Sequence, residues 1–181
     1  MADRFDICLP LMLRQECPFP DDWSNPKNFS HDRHDPGGAT MCGIIQREYD
    51  VWRKGHGLPT QPVNECTEGE GTAIYRICYW LPHCPMLPPG LDLSFLDAAV
   101  NMGTTEAIRI LQWSLQIAND GKWGQQTSAA VTLSFNRTPQ IIADFTARRH
   151  KVYREMPGYQ YFHVDWERRA TEIGQQSMKM T

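Results

Sequence analysis

The sequence predicts a mainly α-helical single domain, on three observations. Apolar residues recur at helical spacing through most of the chain, whereas strand-like alternation is confined to a weak stretch at Val131–Phe135. The length of 181 residues suits one domain with a proper core. The irregularity is all at one end: six cysteines and eleven of thirteen prolines lie within the first 89 residues.

The elements follow in order. Residues 3–16 place Phe5, Cys8, Leu9 and Met12 on one face of a helix that must accommodate Pro10. From Pro18 to Gly38 the chain is rich in Pro, Asp, Asn, Ser, His and Gly, a long polar loop of the kind that usually carries function. Residues 41–54 read as a helix closed by Gly55 and Gly57. Thr67 and Glu70 have capping-box spacing, opening a helix that the prolines at 82–89 end. Helices over 92–102 and 105–118 flank Gly103, and Asn119–Lys122 is a turn. Residues 125–134 and 138–156 are helical, the latter starting at Thr138-Pro139, and a last helix covers 161–173.

Composition narrows the function classes. The net charge of −3 gives no global attraction to nucleic acid, and no run of 18 apolar residues offers a membrane span. The first residues lack the features of a secretory signal. Residues 1–90 carry 8 Lys/Arg and 12 Asp/Glu, residues 91–181 carry 10 and 9. The cysteine spacings contain no CxxC, so buried free thiols are favoured over structural zinc or a disulfide framework.

The loop between the first two helices concentrates Glu16, Asp21, Asp22, His31, Asp32, His34 and Asp35 before Pro36-Gly37-Gly38-Ala39-Thr40. A carboxylate ending a helix, with more carboxylates beyond it, suits glycoside hydrolysis: one group protonates the leaving oxygen while another stabilises the cationic sugar or activates water. The solvated helix-end glutamate is the plainer reading of Glu16. His31, Asp32, His34 and Asp35 could hold a metal ion, but a polar loop without metal fits better. Gly37-Gly38 lacks the pattern of a phosphate cradle. Tyr79-Trp80, Trp113 and Trp166 could stack on sugars or simply fill a core. Arg148, Arg149, Lys151 and Arg154 form a basic run, ordinarily a solvated face, that could also attract an anionic polymer.

The series Glu16, then Asp35-Pro-Gly-Gly-Ala-Thr40-Met-Cys-Gly43-Ile44, resembles the E-G-G…D-x-G-G-x-T-x-x-G-I signature of the glycoside hydrolase family 108 N-acetylmuramidases. The likeness runs through Ile74-Tyr75-Arg76, Tyr79-Trp80 and Phe95–Gly103. The stretch from Ala107 through Gln112 and Asp120–Thr127 to Phe162–Arg169 resembles the peptidoglycan-binding type 3 region that follows in that family. The resemblance implies a lysozyme-like helical single domain with a long N-terminal catalytic loop. Residues 1–90 would be the catalytic segment and 91–175 the wall-binding-like region packed into the same domain.

The implied reaction is cleavage of the β-1,4 bond between N-acetylmuramic acid and N-acetylglucosamine, with no cofactor or metal. Glu16 matches the general acid, and Asp35 and Thr40 match the block facing it. Tyr79, Trp80, Asn101 and Gln112 match positions that line or support the cleft, and packing is an equal expectation for Asp97. The implied partner is bacterial peptidoglycan, met by a monomer that is made in the cytoplasm and reaches the wall through another machinery. A non-catalytic wall-binding or phage structural module, a lytic transglycosylase and an enzyme of chitosan-like polymers are the alternatives. Two departures stand out: Glu16 is followed by Cys17-Pro18 rather than two glycines, and the insertion between Glu16 and Asp35 is long.

Overall fold

The computed structural model describes residues 3–31 and 38–181. The chain is mainly helical with one small sheet, and it divides into two compact units, Met1–Cys78 and Tyr79–Thr181.

In the first unit, α1 (Arg4–Glu16) starts where the Asp3 side chain accepts a hydrogen bond from Phe5 N at 3.1 Å. Pro10 is carried inside the helix, on its exposed side, while Phe5, Cys8, Leu9, Met12 and Leu13 are buried. Beyond it, Asn28 ties the polar loop together. Its amide accepts from Phe19 N at 3.0 Å and donates to the Phe19 and Asp22 carbonyls, both at 2.9 Å.

The sheet was not foreseen. Strands β1 (Phe29–His31), β2 (Ala39–Met41) and β3 (Ile44–Ile45) pair antiparallel in that order. The β2–β3 hairpin turns on Cys42 and Gly43, whose φ values of 44° and 81° are those of a type I′ turn. This hairpin replaces the first five residues of the helix expected over 41–54, so α2 is Gln46–Gly55. Short strands two or three residues long are invisible to periodicity, and Ile44-Ile45 fits either pattern.

The expected capping box opens α3 (Glu68–Ile74), with Glu70 Oε2 accepting from Thr67 N at 3.0 Å. Glu70 also pairs with Arg53 of α2 and accepts from Tyr49 Oη at 2.9 Å, which braces the helices against each other. The chain continues as a π-helix, Tyr75–Trp80, and the division between the units falls within it.

The second unit is built on α4 (Leu91–Met102), buried along most of its length. Helices α5 (Thr104–Ser114), α7 (Thr138–Glu155) and α8 (Tyr159–Met178) pack against it, and α6 (Gln125–Leu133) completes the unit. The weak strand signal at 131–135 lies in the end of α6 and the turn after it. At the centre, Asp97 of α4 meets Arg149 of α7 at 2.6 Å and Arg169 of α8 at 2.8 Å. Burial alone would raise the Asp97 pKa, but the two guanidinium charges hold it below the ordinary carboxylate value. Arg149, expected on a solvated basic face, is 2% exposed.

No helix among the described residues is long and apolar enough to cross a membrane. Cys8, Cys17, Cys42, Cys66 and Cys84 are buried free thiols, as expected, and Cys78 is exposed.

Candidate active site

Glu16 is the last residue of α1. The helix stops there because Cys17 turns extended (φ −142°, ψ 147°) ahead of Pro18, while its N–H still donates to the Leu13 carbonyl at 3.0 Å. Glu16 is half-buried. Its carboxylate faces the hairpin turn: a Cβ on Gly43 would stand 2.5 Å from Glu16 Oε2 and 2.8 Å from Tyr75 Oη. Glycine is needed there for its positive φ and for the space it leaves.

Two hydrogen bonds fix that turn. Tyr75, buried at the end of α3, donates its phenol O–H to the Cys42 carbonyl at 2.6 Å. Cys42 N–H donates to the Asn28 carbonyl at 3.0 Å, joining the turn to the polar loop. Thr40 lies on β2 of the same hairpin, with Cα partners Ser30 and Ile45, and its Oγ1 donates to the Gly38 carbonyl at 3.2 Å. Asp35 lies outside the described residues, as do Asp32 and His34 of the alternative metal set. No group of three or more potential metal ligands occurs among the described residues.

The same unit contains a cleft of about 680 Å³. Asp21, Asp22 and Trp23 of the insertion line one part, Asn64, Glu65 and Glu68 another, and Phe29 and Met41 of the sheet a third. Trp23 is anchored by its indole N–H on the Cys66 carbonyl at 2.7 Å, its ring packed over Gly71. The insertion therefore shapes a concave, acidic surface.

The other expected residues belong to the second unit, where they are occupied internally. Gln112, 2% exposed, donates to Asp120 Oδ1 at 2.9 Å, the Lys122 carbonyl at 3.0 Å and Thr127 Oγ1 at 3.1 Å, and accepts from Gly121 N at 2.9 Å. It braces the 120–122 turn. Asn101 Oδ1 accepts from Tyr153 Oη at 2.6 Å and from Arg149 Nη2 at 3.3 Å, next to the Asp97 ion cluster. Trp80 is buried and Tyr79 partly so. Sequence reasoning gave no role to Gly43, Tyr75, Asn28 or the two thiols beside Glu16. Gly43 and Tyr75 stood within quoted motifs, but a Cys-Gly pair is not a recognised hairpin signal.

A helical fold with one small sheet beside the end of its first helix is of the lysozyme-like class. Residues 27–103 match the model of the Glycosyl hydrolase 108 family, and the match indicates a glycoside hydrolase active on peptidoglycan. The segment includes Thr40, Gly43, Tyr75 and Asn101, whereas Glu16 precedes it and Gln112 follows it. The chain is also similar to the structure of SagA from Brucella abortus, at 25% identity and a TM-score of 0.80, over 97% of this chain and 94% of that one. No curated protein matches.

Proposed function

We propose that this chain is an N-acetylmuramidase that hydrolyses the β-1,4 bond between N-acetylmuramic acid and N-acetylglucosamine, with Glu16 as general acid. The observation that carries the reading is Glu16 itself: a half-buried carboxylate at a helix end, set against a hairpin turn that leaves room for nothing but glycine. A general acid must be held where the glycosidic oxygen arrives, and the packing of Gly43 against it limits where the carboxylate can go.

Glu16 donates its proton to the leaving oxygen as the sugar gains oxocarbenium character. Thr40, on the same hairpin, spends its hydroxyl proton on the Gly38 carbonyl and keeps its lone pairs to hold an incoming water. Asp35, the carboxylate of the matching motif block, supplies negative charge to the cationic centre. The cleft beside Trp23 is lined by neither Glu16 nor Thr40 and carries none of this assignment. Residues 91–175 provide the wall-binding region, and the protein works as a monomer on peptidoglycan after release to the wall by another machinery.

Glu16→Gln tests the assignment on purified peptidoglycan, with soluble products read by mass spectrometry. The expected result is a loss of about 10²–10⁴-fold in reducing-end N-acetylmuramic acid with the fold intact. A variant retaining more than about a tenth of the parent rate would remove Glu16 from this role. Anhydro ends from the parent would make the enzyme a lytic transglycosylase.

A further inference from the structure

We propose that the second unit carries a binding site for the peptide-bearing muramyl units of peptidoglycan, between the end of α5 and the middle of α7. The inference rests on the peptidoglycan reading above for its ligand, and on none of the Glu16 chemistry. A pocket of about 380 Å³ lies there, lined by Trp113, Ser114, Gln116, Ile117, Asn119 and Asp144. Its size is near the lower end for small-ligand sites and suits one sugar with part of its peptide.

The turn after α5 brings these side chains together. Ile117 N–H donates back to the Gln112 carbonyl at 3.1 Å, and Gln116 N–H to the Trp113 carbonyl at 3.0 Å. The residue that turns left-handed in such a helix ending is usually glycine, but here it is Gln116, at a φ of 60°. The fold thus carries backbone strain at a position whose amide side chain lines the pocket.

Trp113 is shared between the pocket and two cations. Its ring is 38% exposed, and Arg148 Cζ and Lys151 Nζ stand 5.5 Å and 5.7 Å from the ring centroid. Asp144, Arg148 and Lys151 follow one another at helical spacing, so they share one face of α7. Neither cation forms an ion pair among the described residues.

This mixture defines the ligand. The two cations bind carboxylates, the Gln116 and Asn119 amides match N-acetyl and peptide groups, and Trp113 with Ile117 covers an apolar ring face. Asp144 accepts the Gln140 amide on Oδ1 at 3.0 Å, and its negative charge disfavours a uniformly anionic polymer such as nucleic acid. A muramyl unit bearing an L-alanyl-D-glutamyl peptide offers the ring, the N-acetyl group, the amides and two carboxylates.

The test titrates the isotope-labelled full chain with N-acetylmuramyl-L-alanyl-D-glutamate and follows the Trp113 indole N–H signal, assigned by its loss in Trp113→Phe. Two comparison ligands isolate the parts: the diamide of the same molecule, which differs only in charge, and free L-alanyl-D-glutamate, which lacks the sugar. The expected result is saturable movement of the Trp113 signal, with affinity lower by about tenfold or more for either comparison ligand. Arg148→Gln combined with Lys151→Gln should lose about tenfold or more in affinity with an unchanged melting midpoint. Gln116→Gly should weaken binding by about threefold or more yet melt no earlier than the parent, because glycine relieves the left-handed strain. A Trp113 signal that the ligand leaves in place, equal binding of the diamide or the free dipeptide, or full affinity in either variant would each overturn the proposal. The ligand contains no bond between two sugars, so the titration is read without turnover. Its failure leaves the Glu16 assignment standing, and an active Glu16→Gln says nothing for or against the Trp113 site.

Discussion

The carboxylate of Glu16 and the α-carbon of Gly43 are packed so closely that a single methyl group cannot be placed between them. An alanine Cβ would lie 2.5 Å from Oε2 and 3.0 Å from Cδ of Glu16. Gly43→Ala should therefore displace the carboxylate, and its φ of +81° adds about 1 kcal/mol of backbone strain. We expect at least a tenfold fall in kcat on peptidoglycan with a melting midpoint only a few degrees lower. The rate of reducing-end release alongside a thermal melt measures both. A variant within twofold of the parent would show that catalysis does not need this contact.

Tyr75 acts on the same turn from behind. Tyr75→Phe keeps the buried ring but removes the 2.6 Å hydrogen bond to the Cys42 carbonyl. The orphaned carbonyl should cost about 1–3 kcal/mol, visible as a lower urea midpoint with an unchanged slope. Because the turn backs Glu16, kcat should fall while KM stays near the parent value. A drop in stability with full kcat would confine Tyr75 to holding the fold.

Long helices were legible in this sequence because their signals are long and repeated. The apolar stripe of α1 and the Thr67/Glu70 capping box both stand where expected. What the sequence concealed was short or distant. The three strands total eight residues, and the helix read across 41–45 is in fact the end of β2, a turn that depends on left-handed φ at a cysteine, and β3. Arg149 looked like one of four solvated cations, yet it is buried because Asp97, 52 positions earlier, neutralises it. Glu16 and Thr40 were legible as residue types in a motif. The Gly43 and Tyr75 contacts that position Glu16 arise only from tertiary packing.

Gln112 shows the same limit from the other side, since a motif position expected at the cleft spends its amide inside the second unit. Gln112→Ala would remove its bonds to Asp120, the Lys122 carbonyl and Thr127 and loosen the 120–122 turn. Loss of these partly buried bonds should cost roughly 2 kcal/mol or more, giving a clear fall in melting temperature. KM for soluble glycan fragments should remain unchanged. A rise in KM without loss of stability would restore Gln112 to the substrate surface.

Asp97 should govern how the protein responds to acid. The carboxyl is fully buried, which disfavours its charge, but Arg169 and Arg149 more than offset this and hold its pKa below the ordinary value. The native state consequently binds this proton less readily than the unfolded chain. Stability from Asp97 is complete above the unfolded value of about 3.9, and it is lost as pH falls through the lower folded value. Asp97→Asn leaves two buried guanidinium groups without their counter-charge, a loss of about 3–5 kcal/mol at pH 7. Below pH 4 the parent loses the same contribution, so the two proteins should converge. Melting temperatures of parent and variant between pH 7 and pH 2.5 measure the gap directly. A gap that stayed constant down to pH 2.5 would mean that Asp97 does not contribute to acid unfolding.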